Sequence, residues 1–112
     1  MSVAWHEVNG VIILKLEDKL MGGKECVEAK KTLQDLMDKG YKNVVLDFSN
    51  LEWSNSAGMG AIISCYHSLK KRDGAMKFAC PTPKVSYYLN ISKLDTVFDI
   101  YDKVEDAVAG FR

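Results

Sequence analysis

Ser56 is the residue whose type and neighbours most invite chemistry in this chain. It stands in the stretch Ser54-Asn55-Ser56-Ala57-Gly58-Met59, after an apolar run of Val44, Val45, Leu46 and Phe48. Met59, Ile62, Ile63, Tyr66 and Leu69 follow at spacings of three and four. The run fits a strand covered on both faces, and the stripe fits an amphipathic helix. Ser49, Asn50, Ser54, Asn55 and Ser56 read as a short polar loop between the two, since such side chains suit turns and helix N-caps. The first backbone N–H groups of the helix, from Ala57, Gly58 and Met59, are expected to face solvent, and a helix end of that kind accepts anions.

A serine is a nucleophile only when a base activates it. His6 lies in the first apolar segment and His67 well along the helix, where its side chain should point away from Ser56. The flanking residues do not form the GxSxG elbow of a hydrolase serine. Gly58-Met59-Gly60 is followed by Ile63 where a dinucleotide fingerprint needs Gly or Ala, and no GxxxxGK[ST] sequence occurs. Both histidines read as surface or rim residues, because a ligand or base needs a partner at workable spacing. Asp47 reads as a structural group that caps or orients the chain after its strand. No catalytic residue, metal ligand or cofactor is assigned, and the residues alone leave Ser56 as a helix N-cap, a role that serine fills well.

Fifteen basic and fifteen acidic residues cancel, so the chain has no global electrostatic footprint for nucleic acid or an anionic membrane. At 112 residues it fits one domain, residues 1–112, able to bury roughly two thirds of its unfolded surface. With 47% hydrophobic and 27% charged residues it resembles an ordinary soluble protein and carries no run long enough to span a bilayer. The N-terminus, MSVAWHEVNG, lacks a secretory pattern, which makes the cytoplasm the expected compartment. Cys26, Cys65 and Cys80 are widely spaced within apolar stretches and read as reduced core thiols. Lys70, Lys71 and Arg72 read as cations at a helix C-terminus.

The elements that must position Ser56 follow from the pattern. Val3 to Val8 and Val11 to Leu16 flank Asn9-Gly10, which favours a type I′ hairpin turn. Glu17 to Gly23 reads as a polar, flexible link. Cys26, Ala29, Leu33, Leu36 and Met37 mark the apolar face of a helix from about Lys24 to Lys39, with Gly40 as its C′ residue. After the central strand and helix, Ala75 to Cys80 predicts a short strand. Thr82 and Pro83 then cap and open a helix through Val85, Tyr88 and Leu89. Asn90 to Asp95 turns back, and Val97 to Tyr101 reads as an edge strand. Asp102 and Glu105 have capping-box spacing for a last helix whose Val104, Ala107, Val108 and Phe111 face the body. The fold class is therefore α/β: an N-terminal β-hairpin, then alternating helices and strands, giving a mixed, mainly parallel five-stranded sheet with four helices. A ligand or partner should approach the strand C-termini, where Ser56 lies.

The residues from Asn43 to Gly60, NVVLDFSNLEWSNSAGMG, resemble the signature of STAS domains, the family named for sulfate transporters and anti-sigma-factor antagonists. Lys93 to Tyr101 and Asp106-Ala107 resemble the family's closing strand and helix, so the likeness spans nearly the whole chain. The resemblance implies a stand-alone bacterial antagonist that binds a serine-kinase anti-sigma factor when unphosphorylated. Phosphorylation of the serine that Ser56 matches would release the kinase, and a PP2C-type phosphatase would restore binding. Ser54, Asn55, Ser56, Ala57, Gly58 and Met59 would then form the partner-binding stretch. Asn55 stands where the family usually has Asp, and Ala57 where it has Ser or Thr.

A phosphate at this place adds about −1.5 to −2 charges beside the helix dipole, which should hold it without unfolding the domain. Three functions compete. The first is the phosphorylation-controlled binding module, a protein with no enzymatic activity. The second is a constitutive STAS scaffold in a transport or signalling complex, with Ser56 only a cap. The third is a nucleotide or anion sensor using the same helix end.

Overall fold

The computed structural model describes residues 3–20, 24–54 and 56–111. The hairpin forms as the sequence predicts: β1 (Val3–Val8) and β2 (Val11–Leu20) flank Asn9 and Gly10 at φ 51° and 82°. Two successive positive φ angles define the type I′ turn, whose twist matches that of the strands. α1 (Lys24–Asp38) leads to β3 (Asn43–Ser54), α2 (Ser56–Lys71) and β4 (Ala75–Ala79). α3 (Pro83–Ile91), a 3₁₀ turn (Leu94–Thr96), β5 (Ile100–Tyr101) and α4 (Val104–Ala109) complete the chain.

The strands lie in sequence order, β1-β2-β3-β4-β5; β1 is antiparallel to β2 and every other pair is parallel. When each crossover is right-handed and advances by one strand in the same direction, the connecting helices fall on one face. α1, α2 and α3 accordingly share one apolar cluster with Ile12, Leu14, Leu46, Phe48 and Phe78. Within it Phe48 meets Phe78 edge-on with ring centres 5.0 Å apart, and Phe98 stacks on Phe78 at 4.4 Å. The opposite face is covered by α4, through Ala107 and Val108 against Val11, Ile13, Val45 and Ala79. There Lys77 bonds Asp99 at 2.8 Å and places its ammonium 5.5 Å from the Tyr101 ring and 5.1 Å from that of Phe111. Those contacts tie the last residues to the sheet.

Four expectations need correction. β2 continues through Leu20, so residues 17–20 of the predicted link are strand; Met21, Gly22 and Gly23 lie outside the described residues. β3 likewise absorbs most of the predicted polar loop. β5 pairs only at Ile100 and Tyr101, because the amides of Val97 and Phe98 bond Leu94 O and close the 3₁₀ turn instead. The exposure pattern still alternates, with Phe98 buried between exposed Val97 and Asp99. α4 starts one residue later than the capping-box spacing suggests, leaving Lys103 at the N-cap with no side-chain bond.

Both long helices close with the same hydrogen-bond pattern, in which the amides beyond the helix return to carbonyls of its last turn. At α1 the amides of Gly40 and Tyr41 reach Met37 O and Leu36 O. At α2 the residue at positive φ is Asp73, and the glycine comes one place later because Gly74 packs backbone to backbone: a Cβ there would lie 2.5 Å from Lys42 O. Gly74→Ala must push β3 and β4 apart, and overpacking of this kind costs about 1–3 kcal/mol. Urea denaturation should show that loss; an unchanged midpoint would mean that the contact has slack.

Candidate functional site

The site begins in the middle of β3. Val44, Leu46 and Phe48 face the helical cluster and Val45 faces α4, as simple alternation requires. Leu51 is out of phase. Its position is odd like that of Val45, yet it is wholly buried in the helical cluster with Phe48. The pairing explains this: Lys15 opposes Asp47 and Glu17 opposes Asn50, so two steps on β2 meet three on β3. One extra residue flips every later side chain to the other face. At that bulge the amide of Ser49 donates to Asp47 Oδ1 at 2.9 Å, and Asp47, only 7% exposed, is the polar residue held at the strand's inner edge. The structural role expected of Asp47 is thus borne out.

β4 ends opposite Asp47, so β3 runs on as a two-stranded arm with β2, through Leu51 opposite Asp18, Trp53 opposite Lys19 and Ser54 opposite Leu20. A second register shift, between Asp18 and Lys19, flips the phase again. The arm is tied to α3 by Thr82, whose hydroxyl donates to Leu51 O at 3.3 Å and accepts the amide of Val85 at 3.4 Å. One O–H and its lone pairs serve both bonds. The predicted cap of α3 is therefore also the clasp that positions the chain before Ser56.

α2 begins at Ser56 itself. Asn55 and the side chains of Ser54 and Ser56 lie outside the described residues. Ser56 is the first residue of that helix. The predicted stripe is confirmed, with Met59, Ile62, Cys65 and Leu69 buried and Ile63 and Tyr66 packed partly against them. This removes Met59 from the expected partner-binding stretch: it is 2% exposed, and Gly58 is buried as well. Among the residues of this turn whose exposure is described, Ala57 and Gly60 are at the surface. The sequence singled out Gly60 only within a failed dinucleotide fingerprint, although its place three residues after Ala57 put it on the same helix face.

α1 lies beside α2. Lys30 Nζ bonds Ser64 Oγ at 3.1 Å, and Arg72 pairs with Asp38 at 2.8 Å. Between these helices and the sheet is an apolar cavity of about 20 Å³ lined by Leu14, Leu33, Ala61, Cys26 and Cys65 among others. It is room for about one water, in a setting that offers none a hydrogen-bond partner. Burial pushes the Cys65 thiol up, partly offset by the Lys30 charge, so it is a poor nucleophile. Cys26 and Cys65 are buried, as expected of core cysteines, whereas Cys80 is only half-buried. His6 and His67 are exposed, as predicted, and among the described residues no group of three or more His, Cys, Asp or Glu is placed to hold a metal.

The bulge makes a prediction. Asp47→Ala strands the Ser49 amide and should destabilise the domain by about 1–3 kcal/mol, whereas Asp47→Asn keeps an acceptor and should lose less. Equal losses in chemical denaturation would show that the Ser49 bond does not hold the bulge.

The STAS domain model matches residues 3–107. A Thermotoga maritima protein named as a candidate anti-sigma factor antagonist is 27% identical over 105 residues, covering 94% of this chain and 93% of its own. A crystal structure of a candidate antagonist from the same organism superposes with a TM-score of 0.87 at 27% identity, covering 96% of this chain and 92% of that one. The antagonist SpoIIAA in its unphosphorylated form gives 0.84 at 17% identity, over 98% of this chain and 96% of that one. Its phosphorylated form, from Bacillus, gives 0.78 at 16%, over 98% and 99%. No helix among the described residues is long and apolar enough to cross a membrane. With the hairpin, the sequential sheet and the β3–α2 junction in place, and with the family model spanning nearly all of it, this chain belongs to the STAS domain family.

Proposed function

We propose that this chain is a phosphorylation-controlled anti-sigma factor antagonist that acts in the cytoplasm as a binding module, not an enzyme. Unphosphorylated, it binds a serine-kinase anti-sigma factor through the mouth of α2: Ser54, Asn55, Ser56 and the first-turn surface of Ala57 and Gly60. Phosphorylation of Ser56 releases the kinase, and a PP2C-type phosphatase resets the switch.

The observation that carries this reading is the position of Ser56 as the first residue of a helix whose buried stripe starts only at Gly58 and Met59. Charge added there meets the positive end of the helix dipole. A partner seated on Ala57 and Gly60 would meet a desolvated dianion instead of a hydroxyl, and each 1.4 kcal/mol of penalty weakens binding about tenfold. Two similar folds, SpoIIAA with and without phosphate, support the view that this architecture accommodates the modification. Asn55 and Ala57 favour a second reading, a constitutive scaffold of the same fold. Asn55 lacks the negative charge that the family usually places before its serine, and Ala57 lacks the following hydroxyl.

Titration calorimetry against the serine-kinase partner separates the two. The switch predicts that Ser56→Asp and phosphorylated protein lose at least about tenfold in affinity, while Ser56→Ala binds as the parent does and all forms unfold at the same urea concentration. Equal affinity of the phosphorylated and unphosphorylated proteins would overturn the switch and leave the scaffold.

A further inference from the structure

We propose that the partner-binding surface extends from the mouth of α2 onto α1, with Val27 as its apolar anchor, and that the partner meets it with an apolar side chain flanked by carboxylates. This rests on the Ser56 reading above and adds the chemistry of the surface that docks there.

Two contacts fix how α1 and α2 lie. Lys30 bonds Ser64 and Asp38 pairs with Arg72, and in both cases the two residues are 34 apart in the chain. The helices therefore run side by side in the same direction at a constant offset, which sets Val27 level with Ala61. Val27 precedes Asp38 by about three whole turns, so it stands on the stripe of α1 that flanks α2. Ala57 precedes Ser64 by about two, so it stands on the stripe of α2 that flanks α1. Ala61 is one turn below Ala57, about 6 Å along the axis, and packed helix axes lie about 8–10 Å apart. Val27 and the exposed residues Ala57 and Gly60 therefore form one surface across the start of the helix pair.

Nothing in the packing of α1 calls for an apolar side chain at this position. Val27 is 69% exposed on a helix whose core face is supplied by Cys26, Ala29, Leu33, Leu36 and Met37. Every other residue of α1 described as exposed is Glu, Lys, Gln or Asp. A single apolar residue at a surface is ordinary, but this one adjoins Ala57, Gly60 and half-buried Ala61, and contiguous apolar surface marks an interaction site.

The charges around it select the partner. α2 contains no Asp or Glu and carries Lys70 and Lys71. On the flank of α1 toward α2, Lys30 and Lys31 lie within one turn of Val27, and the carboxylate of Asp38 is taken by Arg72. Glu28 and Asp35 lie further round the helix, away from α2. Interfaces match potentials of opposite sign, so a surface with an apolar centre and a cationic border fits a partner whose apolar contact is bordered by carboxylates.

Titration calorimetry with the serine-kinase anti-sigma factor of the organism that makes this chain tests the surface. The variants are Val27→Glu, Val27→Lys, Lys31→Glu and, as a control at an exposed site on α3, Tyr87→Glu. Val27→Glu should raise the dissociation constant at least about tenfold, Val27→Lys less, and Tyr87→Glu not at all. Lys31→Glu should also weaken binding, and added salt should narrow the gap between Glu and Lys at position 27. All four should unfold at the parent's urea midpoint, since each site is exposed. A kinase that binds the parent and Val27→Glu alike, or that tolerates Glu at position 27 as well as Lys, would overturn this surface and leave the Ser56 switch standing. An unphosphorylated parent that does not bind the kinase would overturn the switch and the surface together.

Discussion

Strand β3 must serve two faces of the sheet and then deliver the chain to the start of α2, and it does so by changing face between Asp47 and Asn50. Upstream, alternation puts Val44, Leu46 and Phe48 under the helices and Val45 under α4. Without the extra residue, Leu51 would turn toward the α4 side and the arm beyond it would have no anchor in the main core. With it, Leu51 is buried beside Phe48 and its carbonyl is available to Thr82. The Asp47–Ser49 hydrogen bond thus sits at the point where a local backbone irregularity sets where α2 can begin.

The same feature explains what could and could not be read from the residues. The hairpin, the alternation of helices and strands and the apolar face of each helix were legible, because Asn9-Gly10, the 3.6-residue stripes and the Thr82-Pro83 start are local signals. The length of β3 was not. Ser49, Asn50 and Ser54 are turn formers, and two register shifts against β2 scramble the period-two pattern that would have marked a strand. Bulges are properties of a pair of strands, so one strand's sequence hides them.

Around Ser56 the helix was legible, but the expected partner-binding stretch took in a residue that the core claims. The stripe that identified α2 already contained Met59, and a residue cannot serve the core and a partner at once. Met59 is 2% exposed, whereas Ala57 and Gly60 on either side of it are exposed. The last helix shows a similar limit: Asp102 and Glu105 have the right spacing, but α4 begins after Lys103, because the register of α4 follows from burying Ala107 and Val108 against the sheet. Burial of apolar area outweighs a single cap.

Together these features describe a sheet and core insulated from the mouth of α2, with the Thr82 clasp and the β3 arm between them. That insulation is the central claim, and amide chemical shifts of the protein before and after stoichiometric phosphorylation test it most directly. The account predicts changes confined to Ser54 through Gly60, Leu51 and the start of α3, with Val45, Phe78 and Ala107 unmoved. Shifts spread through β4 and α4 would contradict it, since the added charge would then be felt by the fold itself.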